Sequence, residues 1–382
     1  MSDTRDGAGP QPSGPRPVGA AGQVMAAAAE DAPAAEATTE GEATVVRRRE
    51  PLPQAAARLW QRARGQNTLW TFLVLLVLVA VFSVLSPDAF ATSFEFRSIA
   101  IESSILVVLA VGQTFVIVTS GIDLSVGSVL IFSGVVAVRT MNALDSSPDA
   151  GWWVVVVGAL AGMLAGLAWG VFNGIWVAKA KVPPLIVTLG TLGMALGLAQ
   201  VLTHGVDVGD IPNSLADSIG SGSVLGVPWL IVVAVVVVVA AALALNTTRF
   251  GRYTRAVGSN EEAASRVGIR VDRHLIKVYG LSGLLAGLAG VLNLAHFSST
   301  TLTSGAQDNL NAIAAVVLGG TSLFGGVGTV IGSVIGVFIP AVLQSGFTIL
   351  QVQSFWQTVA VGAVLILAVY FDQLRRRRRN SR

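Results

Sequence analysis

This sequence can do chemistry where hydrogen-bonding side chains sit inside long apolar runs. In TFVIVTSGIDLSVGSVL, Gln113, Thr119, Ser120, Asp123, Ser125 and Ser128 form a polar seam. Such groups are costly in a membrane and usually face a cavity or a helix partner. Gly121 and Gly127 let the backbone bend there, as irregular backbone at depth requires. Asn173, Thr188, Gln307, Asp308, Asn309 and Asn311 are placed similarly. Gln113, Ser120, Asp123, Ser125, Asn173, Thr188, Gln307 and Asn311 are therefore the candidates to line a translocation pathway. Each has a structural alternative; Asp123, for example, can cap a helix starting at Leu124. The chemistry is passage of a polar solute, not bond-making. No GxxxxGK[ST], HExxH, GxSxG or paired catalytic carboxylates appear. There is no Cys, and His204, His274 and His296 lie far apart, so no metal site is expected. The chain is not read as an enzyme and carries no cofactor of its own.

A second set of residues lies in the one long charged island, Arg249–Arg273, RFGRYTRAVGSNEEAASRVGIRVDR. Ser259 is expected to N-cap a short helix, with Glu262 closing a capping box and both Glu261 and Glu262 facing the positive helix end. Gly268 suits the position after the last turn, with Arg266 near the negative end. A helix of about two turns is marginal in water unless it packs against something. The island is thus either a docking element or a solvated connector.

The elements that must position these residues are membrane spans. The chain has 382 residues, 53% hydrophobic and 12% charged, with a mean hydropathy of +0.69. Soluble domains carry roughly 25% charged residues, so the composition points to an all-α polytopic membrane protein. Spanning runs need about 20 apolar residues. Ten are marked: Leu69–Leu85, Ile99–Val118, Leu124–Met141, Trp152–Val177, Leu185–Thr203, Leu225–Leu245, Leu275–Ala295, Leu310–Leu323, Val330–Phe347 and Phe355–Tyr370. The third and eighth are short and Gly-rich, and are expected to be broken or tilted.

Arg47, Arg48, Arg49, Arg58, Arg62 and Arg64 precede the first run, and Arg375–Arg379 follow the last. By the positive-inside rule both termini are cytoplasmic, which requires an even number of spans. Lys179, Lys181 and the island then fall inside, whereas Asp145, Asp149, Asp207, Asp210, Asp217 and Asp308 fall outside. Residues 1–66 are too poor in large apolar side chains to order, so they read as a disordered cytoplasmic tail. No apolar segment of signal-peptide type follows their start. Residues 67–372 form the membrane domain, and residues 373–382 a basic tail. Thr119–Leu124 and Thr303–Asp308 echo each other on opposite sides, as an inverted repeat of spans two to five against seven to ten would require. The glycine steps GMLAGLAWG, SGLLAGLAG and GGTSLFGGVG suit close helix packing.

The blocks TSGIDLSVGS, VAKAKVPPLIVTLGTL, RFGRYTRAVGSNEEAASRVGI and NAIAAVVLGGTSLFGGVGTVIGSVIG together resemble the membrane permeases of ribose-type monosaccharide ABC importers. The resemblance covers about residues 68–372. It implies that Glu262-Ala263-Ala264, followed by Gly268, corresponds to the EAA loop that contacts the ATPase; the downstream Ile/Leu-Pro part of that motif is missing. Arg252, Arg255, Ser259, Asn260 and Glu261 belong to the same expected docking surface. The two arginines are equally suited to acids on the ATPase, to lipid headgroups, or to positive-inside anchoring. The resemblance further implies a second permease copy or a close paralogue, and two ATP-binding subunits or one fused ATPase, which hold the ATP and Mg. An extracytoplasmic sugar-binding protein and a prokaryotic cell membrane complete the expectation; nucleic acid has no part in it. The competing class is an ion-coupled secondary transporter of a small polar solute, which needs no docking loop and usually shows more embedded charge than the lone Asp123. A passive channel is disfavoured on the same grounds. The sugar is not specified: permeases for xylose, galactose, inositol, autoinducer-2 and nucleosides resemble those for ribose.

Overall fold

Runs of Leu, Val, Ile and Ala with few charges satisfy their backbone hydrogen bonds as helices, the form such segments take in lipid. The computed structural model describes residues 66–300, 302, 305–353 and scattered residues between 355 and 370. The tail expected at 1–66 lies outside the described residues save for Gln66, as does the basic segment 373–382. All described residues fall in one unit, Leu52–Arg382.

Among the described residues, eight helices are long and apolar enough to span a membrane. They are α1 (Gln66–Leu85), α2 (Ser93–Val118), α3 (Val126–Leu144), α4 (Trp152–Ala178), α5 (Pro184–Thr203), α6 (Trp229–Thr247), α9 (Val271–Phe297) and α11 (Val330–Ile349). Between α6 and α9 run two short helices, α7 (Arg249–Ser259) and α8 (Glu261–Arg266). Helix α10 covers Gly305–Leu318. Its 14 residues reach only about 21 Å at 1.5 Å per residue, short of a ~30 Å hydrocarbon core. The eighth expected span, Leu310–Leu323, is thus cut short at Leu318, before Gly320 takes φ 88, although α10 itself is unbroken. The third, also expected to be broken or tilted, is the unbroken 19-residue helix α3. The sixth starts later than expected because Leu225 and Gly226 turn a hairpin between β1 (Ser223–Val224) and β2 (Val227–Pro228). Within the tenth, Phe355–Tyr370, the described residues are helical.

Two central helices organise the rest. Helices α2 and α9 are mostly buried, whereas α1, α5 and α6 are mostly exposed, as outer helices must be. The α4–α9 contact is nearly backbone to backbone. A Cβ on Gly170 would lie 2.2 Å from the Tyr279 carbonyl oxygen, and one on Gly166 would lie 2.3 Å from that of Gly283. The packing expected of GMLAGLAWG and SGLLAGLAG is therefore realised.

The loops sort into two ends. At one end the α2–α3 segment, the α4–α5 loop, the α7–α8 island and the α10–α11 segment touch one another. At the other end, Asn213 N–H donates to Pro148 O (2.7 Å), and Val208 pairs with Thr300. The contacts thus group the four segments expected on one side, and join loops expected together on the other. The repeat itself is only half visible, because Thr303 and Ser304 lie outside the described residues.

Candidate functional site

The charged island folds as two helices joined at Asn260, not as one capped helix. Helix α7 buries Gly251, Thr254, Val257 and Gly258. The Thr254 hydroxyl lies 3.0 Å from Nε2 of His274. Ser259 does not N-cap α8, the short helix expected to dock. It ends α7, and its hydroxyl donates to the Arg255 carbonyl (2.8 Å). The cap is Asn260, whose backbone is extended (φ −164) and whose Oδ1 accepts from Ala263 N–H at 2.8 Å. Both residues are good caps; the choice falls to Asn260 because Ser259 still satisfies α7. Nor does Glu262 close a capping box: its carboxylate meets Arg266, 3.4 Å away on the exposed face.

The C-terminal end of α8 is as expected. Gly268 has φ 87, its N–H donates to Ser265 O (2.9 Å), and Ile269 N–H donates to Ala264 O (3.1 Å). This is a Schellman motif. Ala264 is buried against Ala178, Val257, Val271 and Leu275, which anchors α8, while Glu261, Glu262, Ala263 and Gly268 are exposed. Lys181 ties the island to the α4–α5 loop, with Nζ 3.2 Å from both Glu261 and Asp272. A groove of about 1140 Å³ beside α8 is lined by Lys181, Asn260, Glu261, Ser265 and Arg270.

Arg255 sits half-buried at the end of α6. Its guanidinium donates to Leu245 O (2.9 Å) and Asn246 Oδ1 (2.7 Å), and burial holds its pKa below the ordinary value. Arg252 donates to Thr247 O (3.2 Å) and stays exposed. Both cations thus serve the carbonyl end of α6, where the helix dipole favours positive charge.

Five of the eight pathway candidates meet at the break between α2 and α3. Asp123 Oδ1 accepts from Ser125 N–H (2.9 Å) and Oγ (2.6 Å), and Oδ2 accepts from Ser282 Oγ (3.3 Å). Gln113 Nε2 donates to the Asp123 carbonyl oxygen, Asn173 Nδ2 to Ser125 Oγ (2.9 Å), and Thr188 Oγ1 contacts Ile122 O (3.2 Å). All five are buried. In this conformation they latch α2, α3, α4, α5 and α9 together rather than line open space. Asp123 does not cap the helix as its alternative reading supposed: α3 begins at Val126, not Leu124, its N-cap position is Ser125, and Asp123 instead accepts from the N–H of that residue. Ser120 stands apart, at the junction with the island. Gln307 and Asn311 lie on α10 away from this cluster, exposed and half-buried respectively. Their neighbour Asn309 is buried, and its Oδ1 accepts from Gly127 N–H.

Sequence reasoning missed Ser282, Tyr279 and the Lys181 tie. Ser282 lies in a glycine step and reads as packing. Tyr279 closes over Gly121, where an added Cβ would meet its hydroxyl at 2.6 Å. Only the α2–α9 crossing brings these residues to Asp123.

A buried polar latch at a helix break, with a capped helix presented outside the spans, suits a membrane transport subunit. The family described as branched-chain amino acid transport system / permease component matches residues 96–369. The chain belongs to that family: it is a multi-pass membrane permease and not an enzyme. It is 41% identical over 309 residues to the ribose import permease protein RbsC of Escherichia coli K12, covering 79% of this chain and 92% of that one. It is 36% identical over 341 residues to the L-arabinose ABC transporter permease protein AraH of Azospirillum brasilense (87% and 97% covered). Against the D-allose transport system permease protein AlsC of E. coli K12 it is 35% identical over 306 residues (80% and 91%). No solved structure matches.

Proposed function

We propose that this chain forms the translocation pathway of an ATP-driven importer for a monosaccharide of the ribose type. Two permease copies would work with two ATP-binding subunits and an extracytoplasmic sugar-binding protein. The observation that carries the substrate class is the likeness, along nearly their whole length, to permeases named for ribose, arabinose and allose. Helix α8 is the ATPase-docking element in this reading. It is rigidly capped at both ends, anchored by Ala264, and exposes Glu261, Glu262 and Ala263. ATP binding would close the ATPase pair and move α8. The membrane helices would then open the pathway to one side and afterwards to the other. Passage requires the Asp123 latch to loosen, since its members are closed off here.

The test is uptake of labelled D-ribose, D-allose and L-arabinose by proteoliposomes holding the whole transporter. Uptake is expected only with ATP, the ATPase and a loaded binding protein. Uptake that persists without the ATPase would point to a secondary transporter. ATP-driven uptake of none of the three would reject the sugar class.

A further inference from the structure

The end of α7 is pinned between two irregular segments of the membrane domain. The Ser120 hydroxyl lies 3.0 Å from the Gly258 carbonyl oxygen and 2.9 Å from that of Phe324, so its one proton is shared between them. Gly326 N–H donates to the Val118 carbonyl at 2.9 Å. Glycines leave no clearance at this point. A Cβ on Gly258 would lie 1.8 Å from the Val118 oxygen, and one on Gly325 would lie 2.0 Å from Ser120 Oγ. Ser120 itself has φ 63, a conformation glycine adopts more easily. What serine adds there is its hydroxyl.

We propose that this three-way joint, formed by Ser120, Gly258 and Phe324–Gly326, delivers displacement of α8 to the two helix breaks of the membrane domain, with Ser120 as the positioning residue. The proposal rests on the reading of α8 as the docking helix. Only Asn260 separates α8 from α7, and the joint begins two residues earlier, so α8 cannot travel far without moving it. Two routes leave the joint. One runs from Ser120 over three residues to Asp123 and its latch. The other runs through Gly325 and Gly326 between α10, which carries Gln307 and Asn311, and α11. Close-packed backbone transmits displacement because nothing in it can yield by changing rotamer. The Lys181 tie is a lesser connection, since exposed ion pairs are weak and screened by salt.

The experiment uses proteoliposomes of the complete transporter with D-ribose as probe. Three quantities are read: ATP hydrolysed per sugar moved, stimulation of hydrolysis by loaded binding protein, and cross-linking of the ATPase to a single cysteine placed by Ser265→Cys. Ser120→Gly removes the hydroxyl while easing the backbone, so it spares folding. It should keep the cross-link, lose most of the stimulation, and raise ATP per sugar several-fold. Gly258→Ala, which must displace the Val118 carbonyl, should do so more strongly. A wild-type ratio of ATP to sugar in both variants overturns the joint, even if both activities fall together, because that pattern marks a merely structural contact. Absence of the cross-link in Ser265→Cys alone overturns the docking reading and the joint with it, a failure distinguishable from the first.

Discussion

At the residue scale, α8 depends on Asn260 and Gly268 rather than on Ser259. Asn260→Ala removes the side-chain acceptor of Ala263 N–H and should cost about 0.5–2 kcal/mol of local helix stability. Hydrogen exchange at the Ala263 amide is expected to quicken in Asn260→Ala and hardly at all in Ser259→Ala; the reverse order would return the cap to Ser259. Gly268→Val places a β-branched residue at positive φ and should fray α8 more than Gly268→Asn, which tolerates that region. Asp123 makes a second residue-scale case. Asp123→Leu leaves the Ser125 N–H and the Ser125 and Ser282 hydroxyls without their acceptor, and each unmade bond costs about 1–3 kcal/mol. Asp123→Asn keeps one acceptor oxygen and should lose much less. Thermal unfolding in detergent ranks the two; equal midpoints would mean that the latch does not stabilise the fold.

At the scale of elements, glycine has opposite meanings on neighbouring helices. On α4, Gly166 and Gly170 face the backbone of α9, and a leucine at either must drive the two helices apart. On α5, Gly190, Gly193 and Gly197 meet nothing within 4 Å. Gly190→Ala should therefore leave an isolated protomer as stable or slightly more so, since alanine in a helix gains about 0.5–1 kcal/mol over glycine. Gly170→Leu should lower the melting midpoint sharply. If both changes act alike on the isolated chain, the assignment of α4's glycine face to the α9 contact and of α5's glycine face to the periphery is mistaken.

For the whole molecule, sidedness is the testable property, and the absence of native cysteine makes it accessible. Single cysteines at Ser147 and Ser218 should react with an impermeant maleimide from outside in intact cells. One at Ser265 should react only after the membrane is opened. Labelling of Ser265 from outside, or protection of the other two, would break the ten-span arrangement. Contacts inside the chain bring the α4–α5 loop and the charged island, both basic, to the same end as the α2–α3 and α10–α11 segments.

Hydropathy, charge and glycine spacing in the sequence were enough for the all-helical membrane class, the approximate place of most spans, the short eighth span and the close α4–α9 packing, but not for the later start of α6 or the earlier start of α10. Each follows from a local rule: a run must be long and apolar to span, basic loops stay inside, and glycine steps let helices approach. The C-terminal end of α8 was legible for the same reason, since positive φ favours glycine whatever surrounds it. The N-cap was not, because Ser259 and Asn260 are equally good caps in isolation; the continuation of α7 through Ser259 decided between them. The polar seam around Asp123 was visible as a cost to be met, but its partners were not. Ser282 and Tyr279 stand 159 and 156 positions further along the chain, and only the crossing of α2 and α9 brings them there. The joint at Ser120 belongs to the tertiary structure alone, because its atoms come from three segments whose meeting no local pattern encodes.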